Sequence, residues 1–294
     1  MKDIKSNQFR VNQPIKIKEV STSFSLNAEE KTIKKELKNT RKALATWQDK
    51  LYAHGKYSVL VCLQGMDTSG KDSLIREVFQ GFNSRGVVVH SFKTPSKKEL
   101  RHNYLWRHYI ALPERGKFGV FNRTHYENVL VTRVHPEYIL GEKIPHIQSL
   151  EDIDEVFWET RMEEIKNFEK TLVQNGTIIF KFFLHISKEE QNKRFNSRLK
   201  NPLKKWKFSP VDMKGQELWD TYTHYKEQMF AKTHTTFSPW LIVRTNDKRT
   251  ARIETMRYVL SQFEYTGKGK SKAVLLPDPN VVFRYYRHIE QIDI

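Results

Sequence analysis

A chain of 294 residues, 38% hydrophobic and 29% charged, can bury a sizeable core, which excludes global disorder and suits one large α/β domain or two small ones. Lys and Arg total 51 against 34 Asp and Glu, and the resulting +17 draws polyanions: nucleic acid, an anionic membrane surface or a phosphate polymer. The single cysteine, Cys62, excludes an intrachain disulfide, and no apolar run approaches the roughly 20 residues of a membrane span.

Residues 1–28 are polar and weakly patterned, and read as an arm over the surface. The opening MKDIKSNQFRVNQPIK holds no hydrophobic segment of a secretion signal, so a cytoplasmic protein is expected. From Glu29 a helix is expected, with Ile33, Leu37, Leu44, Trp47 and Leu51 at helical spacing and Gly55 suited to its C-terminal end. SVLVCL (58–63) reads as a buried strand with Cys62 as a small core residue, and a glycine-rich loop and a helix over 71–82 follow. VVVHSF (87–92) gives a second strand. Residues 96–112 read as a helix, opened by a Ser96/Glu99 capping box and ended by Pro113. KFGVF (117–121) is a third strand. A long helix is expected over 150–174, its stripe formed by Phe157, Met162, Ile165, Phe168 and Leu172. TIIFKFFLHI (177–186) is a fourth strand, SKEEQNKRFNSRLK a basic helix, 215–230 a further helix, WLIVRT (240–245) a fifth strand, and 248–263 the last helix. YTGKGKSKA reads as a flexible basic loop, and VVFRYYRHIEQIDI has no assignment. Strands that are continuous apolar runs, alternating with helices, point to a parallel sheet covered on both faces in a single domain.

Residues 63–73, LQGMDTSGKDS, carry Gly65, Gly70 and Lys71 in G-x-x-x-x-G-K spacing between a strand and a helix. Such a loop turns backbone N–H groups around an anion, the helix N-terminus adds partial positive charge, and Lys71 supplies a full one. Asp72 stands where Ser or Thr is usual, with Ser73 one place late. Carboxylates beside phosphate need a cation between them, which points to Asp67 as a magnesium ligand, with a solvated turn acid as the alternative. Asp72 also suits the first turn of a helix without any ligand role. At the end of the third strand, where P-loop proteins place a second metal-binding acid, the first polar residue is Asn122. Glu127 could restore the missing carboxylate. Arg123 would be costly to bury without an anion, and phosphate is the natural one. In KRFNSRLKNPLKKWK (193–207) no acid interrupts the basic residues, and Arg194 and Arg198 stand four apart on one helix face. The run reads as a lid that closes over phosphates, against the plainer reading of a solvated face. No H-E-x-x-H or Cys/His cluster exists, and His108 and His125 are expected to pack, with contact to phosphate as the alternative.

GMDTSGKDS, FNRTHYENVLVTRV, RFNSRLKNPLKKWKFSPVD and SPWLIVRTNDKRTAR together resemble the motifs of the family-2 polyphosphate kinases, over about Leu37 to Phe263. The resemblance implies a P-loop kinase-like αβα sandwich of about five parallel strands, with a basic lid (188–213) and a C-terminal extension (265–294). It implies phosphoryl transfer between inorganic polyphosphate and nucleotides with Mg2+, for which Mn2+ could substitute. The family loop G-x-D-x-x-G-K is matched by Gly65, Asp67, Gly70 and Lys71, so Asp67 becomes a metal ligand by resemblance; Met66, Thr68, Ser69, Asp72 and Ser73 complete the phosphate-binding stretch. Arg123 matches the second motif, usually Asp-Arg, from which Asn122 departs. Arg107 matches an arginine before the third strand. Arg194, Arg198, Lys204, Lys205 and Lys207 correspond to lid residues on polyphosphate. FNRTHYENVLVTRVHPEY is similar to the subgroup acting on nucleoside mono- and diphosphates, which implies AMP and ADP as acceptors, with GMP and GDP as further candidates. A homo-oligomer is also implied. The competing readings are an ATP-dependent kinase on the same fold and a basic nucleic-acid-binding protein, for which no RRM, KH, zinc-finger or helix-turn-helix signature is present.

Overall fold

The structure, a computed structural model, describes residues 11, 14–203, 217–265 and 281–283. Its centre is β1 (Ser58–Gln64), in which all seven residues are buried. A strand apolar on both faces needs cover on both, and SVLVCLQ offers no polar face for water. β3 (Phe118–Asn122) lies parallel on one side, Val59 opposite Phe118, and β4 (Thr177–His185) lies parallel on the other, Ser58 opposite Thr177. β2 (Val87–Ser91) and β5 (Trp240–Arg244) form the edges, giving the order β2-β3-β1-β4-β5 with every pairing parallel. The carboxyl ends of the strands therefore share one side of the sheet, where open α/β sheets bind ligands.

The helices are α1 (Glu30–His54), α2 (Lys71–Val78), the single-turn α3 (Trp106–Tyr109), α4 (Glu127–Val134), the single-turn α5 (Glu137–Leu140), α6 (Glu155–Gln174), α7 (Lys188–Lys200), α8 (Trp219–Thr233) and α9 (Lys248–Ser261). α9 packs against α1 and α2, while α4, α6 and α8 pack together. Gly55 ends α1 in the left-handed region at φ 64°, as its position in the sequence suggests. Among the described residues, no helix is long and apolar enough to cross a membrane.

The structure differs from the sequence reading in several places. The helix expected over 96–112 is two short pieces, a 3-10 turn over Glu99–Arg101 and then α3. The capping-box bonds between Ser96 and Glu99 do form, but Asn103 Oδ1 accepts the Leu105 N–H at 2.8 Å and removes it from helical pairing. α2 stops four residues short of Phe82, and Asp154 rather than Leu150 begins α6 by capping the Phe157 N–H. The segment before α1 is not merely a surface arm. Val11, Ile17 and Leu26 are buried, and the Val11 N–H bonds the Trp240 carbonyl at 3.0 Å. Val281–Phe283, within the unassigned terminal stretch, pairs antiparallel with Phe263–Tyr265.

One polar cluster lies inside this core. Lys181, on β4, and Glu169, on α6, are fully buried and meet at 2.8 Å. Lys181 Nζ also donates to Tyr126 Oη at 2.8 Å and the Thr233 carbonyl at 2.9 Å. Tyr126 Oη in turn donates to Glu169 Oε1 at 2.7 Å, and His125 Nε2 lies 3.0 Å from the same oxygen. Burial pushes the Glu169 carboxyl up, but Lys181 and His125 outweigh it and hold it below the usual range. Lys181→Met leaves a buried, unpaired carboxylate and should cost about 3–5 kcal/mol in urea denaturation; a loss below about 1 kcal/mol would show that the pair holds little together.

His185 ends β4 with Nε2 3.1 Å from the Val20 carbonyl, and burial pushes its pKa down to about 4 from 6.5. The unfolded chain therefore takes up this proton first as pH falls. The stabilisation is complete above about 6.5 and is lost as pH drops towards 4. Between pH 7 and 5 the protein should lose about 2 kcal/mol more stability than His185→Gln, measured by denaturant titration at both pH values.

Candidate functional site

The loop between β1 and α2 is shaped by what passes behind it. Gly65 has φ +154°, and a Cβ there would lie 2.8 Å from the Leu184 carbonyl oxygen and 2.9 Å from Ser69 Oγ, so only glycine fits. Gly70, at φ +107°, turns the chain into α2. Thr68 sits in the left-handed region at φ 61°, which is strained for a β-branched residue. Lys71 opens α2 and is buried, its Nζ donating to the Gly65 and Met66 carbonyls. Burial draws its pKa down and Arg123 adds to this; Asp67, Glu127 and Asp72 only partly offset them. Ser73 Oγ donates to the Gly70 carbonyl at 2.9 Å, which tightens the first turn of α2.

The turn between β3 and α4 faces this loop. Arg123 has φ +60°, and its N–H bonds the Leu63 carbonyl at 3.1 Å. Its Nη2 donates to Asp67 Oδ1 at 2.8 Å, and Nη1 lies 3.5 Å from Glu127 Oε2. Arg123 is therefore met by carboxylate anions. Its side chain is 41% exposed and spans two carboxylates. Glu127 opens α4 and accepts a hydrogen bond from Gln64 Nε2. It shares Arg123 with Asp67, while the acid beside Asn122 is Asp72, whose Oδ1 accepts from Asn122 Nδ2 at 2.9 Å. Asn122 Nδ2 is also 3.2 Å from Ser91 Oγ, and its Oδ1 is buried with no hydrogen-bond partner among the described residues.

The other predicted residues fall into distinct places. Arg107, on α3, lies with Nε 3.2 Å from Glu99 and its guanidinium 5.0 Å from the Phe92 ring centre, within the electrostatic reach of Glu127. Arg194 is not displayed on a lid face. It is buried and bonds backbone carbonyls, among them those of Thr68 and Ser69. Arg198 lies half-buried, 5.9 Å over the Phe195 ring. Lys204, Lys205 and Lys207, and with them residues 204–213 of the expected lid, lie outside the described residues. His108 and His125 are both buried, in agreement with packing. Two contributors were not predicted. Tyr222, on α8, has its hydroxyl pKa raised first by burial and then by the charges of Glu127 and Asp67, which puts it within their electrostatic reach. Gln64 orients Glu127. Neither stands out in sequence, because α8 carries several aromatics and Gln64 continues a buried strand.

A strand-loop-helix phosphate cradle, facing a guanidinium between two carboxylates, suits transfer of a highly charged phosphoryl group. A family model described as Polyphosphate kinase 2 matches residues 27–271. The chain belongs to the polyphosphate kinase 2 family. It is 41% identical over 282 residues to an ADP-polyphosphate phosphotransferase of Rhodopseudomonas palustris, covering 92% of this chain and 96% of that one. It is 43% identical over 199 residues to an AMP/ADP-polyphosphate phosphotransferase of Meiothermus ruber, covering 68% and 69%. The crystal structure of Polyphosphate Kinase 2 from Arthrobacter aurescens TC1 superposes with a TM-score of 0.79 at 33% identity, over 87% of each chain. As a polyphosphate kinase 2 the protein is a phosphotransferase, and its five parallel strands are those of the P-loop kinase-like fold.

The Asn122–Asp72 bond makes a direct prediction. In Asn122→Asp two carboxylates meet where an amide now donates, and like charges at that distance disfavour the ionised pair. In chelator the variant should melt about 2–6 °C below the parent, and millimolar Mg2+ should restore more of that loss than it changes in the parent. Equal melting of the two proteins by differential scanning fluorimetry in chelator would refute this account.

Proposed function

We propose that the protein transfers phosphoryl groups from inorganic polyphosphate to AMP and ADP, with guanine nucleotides as further acceptors. The observation that carries the reading is the meeting of Asp67, Arg123 and Glu127 beside Lys71 at the mouth of the phosphate loop. The names of the Rhodopseudomonas and Meiothermus relatives support the acceptors. We place the reaction in the cytoplasm, with its nucleotides.

The donor set fits Mg2+, and Mn2+ as a substitute. Mg2+ takes hard oxygen ligands and needs only one or two carboxylates beside phosphate and water. Asp67 and Glu127 supply those carboxylates, and the buried Asn122 Oδ1 is a neutral oxygen without a partner among the described residues. No group of three or more His, Cys, Asp and Glu side chains able to hold a metal by itself is present among the described residues, so the site depends on substrate oxygens as well. When bound, the ion offsets charge on the transferring phosphoryl group.

In the reaction a phosphate oxygen of the nucleotide attacks the terminal phosphorus of the chain. The P–O bond to the next phosphate breaks, and polyphosphate leaves one unit shorter, carrying the bond electrons. An ionised phosphate is already nucleophilic, so no strong general base is required. The loop N–H groups and Lys71 hold phosphoryl oxygens, and Arg123 stands opposite to neutralise charge on the approaching group. No covalent enzyme intermediate is involved, and the reaction is reversible in principle.

Purified protein should form ADP from AMP, and ATP from ADP, with polyphosphate and Mg2+ as sole additions, read by nucleotide chromatography. Product only when ATP is the donor would replace this reading with that of an ATP-dependent kinase. Asp67→Ala should lose at least ~100-fold in turnover; full turnover at saturating Mg2+ would remove Asp67 from the site.

A further inference from the structure

One helix holds three consecutive carbonyls of the phosphate loop from behind. Gln191 Nε2 donates to the Asp67 carbonyl at 3.0 Å. Arg194 Nη1 donates to the Thr68 and Ser69 carbonyls at 3.0 and 3.2 Å. Its Nη2 donates to the Thr245 and Asn246 carbonyls, just after β5, at 2.6 and 3.0 Å, and its Nε to Glu190 Oε1 at 2.8 Å. A guanidinium has five N–H groups, and all are engaged. Gln191 and Arg194 are three apart on α7, hence on one face of it.

The consequence follows from peptide planarity. In a trans peptide the C=O and the next N–H point in opposite directions. Carbonyls of Asp67, Thr68 and Ser69 directed at α7 turn the N–H groups of Thr68, Ser69 and Gly70 away from it. The Ser69 N–H is taken by the Met66 carbonyl at 3.1 Å, and those of Thr68 and Gly70, which no backbone carbonyl takes among the described residues, remain as donors on the side away from α7. Thr68 is also the strained residue of the loop, and strain of this kind persists only where the surroundings over-determine it. Arg194 supplies that constraint by bonding the Thr68 carbonyl itself.

We propose that Arg194, with Gln191, is a positioning residue for phosphoryl transfer: it fixes the carbonyls of the loop, and so the direction of the loop's N–H donors, and acts through the loop rather than by touching phosphate. This assigns the first basic residue of the predicted lid face to the frame of the site. The proposal rests on the polyphosphate-kinase reading above, so turnover by the unaltered protein is established first; its absence would count against that reading and leave the clamp untouched.

The test compares Arg194→Lys, Arg194→Ala and Gln191→Leu with the exposed control Asn192→Ala on the same helix. Each is measured for melting temperature, kcat, KM for polyphosphate, and the salt dependence of that KM. A lysine keeps the charge but cannot reach four carbonyls at once. The clamp therefore predicts that Arg194→Lys loses kcat nearly as severely as Arg194→Ala, on the order of 100-fold. Gln191→Leu, which removes one loop bond and no charge, should lose about 5- to 10-fold in kcat. The salt slope of the polyphosphate KM should stay at the parent value in all variants, and millimolar guanidinium should partly restore Arg194→Ala. A direct phosphate contact predicts the opposite: Lys substitutes well, and the slope falls by about 0.7 in Arg194→Ala. That result would overturn the proposal. So would unchanged kcat per folded molecule in Gln191→Leu, which stays informative even if the Arg194 variants fail to fold.

Discussion

A buried ammonium–carboxylate pair, Lys181 with Glu169, ties the catalytic turn to the rest of the molecule. Through Tyr126 and His125 it reaches the stretch that follows Arg123, and through the Thr233 carbonyl it reaches the end of α8. β4, α6, α8 and the β3–α4 turn are thus joined at one point in the core. Ion pairs in such surroundings offer little net stability, because desolvation offsets most of their attraction. What this one offers is direction. Arg123 and Glu127 flank residues whose side chains are fixed in the core, so neither can drift as a surface loop would.

The site departs from comfortable backbone geometry at two non-glycine residues, Thr68 and Arg123, both with φ near +60°. They stand on the two turns that face each other across the loop mouth. In each case the deviation turns the peptide groups needed at that point, and each is met by a bond that holds it: Arg194 for Thr68, and the Leu63 carbonyl for the Arg123 N–H. Local cost at the site and rigid support behind it are complementary parts of one arrangement.

Much of this was legible in the sequence. The five sheet strands are apolar runs in a chain rich in helical periodicity, and the strand-loop-helix setting of Gly65–Lys71 follows from them. What sequence could not show was side-chain direction over long separations. Asn122 looked like a lost metal ligand until Asp72 was seen beside it. Arg194 read as part of a basic face because a charge run does not reveal which member turns inward. Residues 96–112 have helical composition, but the Asn103 side chain takes a backbone N–H and breaks the run. The segment from Val11 to Leu26 has no period at all, so its buried residues carry no pattern to read.

The overall charge of +17 is not the charge of the centre. Around the loop mouth, Asp67, Asp72 and Glu127 stand among Lys71, Arg123, Arg107 and Arg194, so acids and bases are interleaved there. Among the described residues, most of the surplus of Lys and Arg lies outside this group, where it can gather a polyanion from solution.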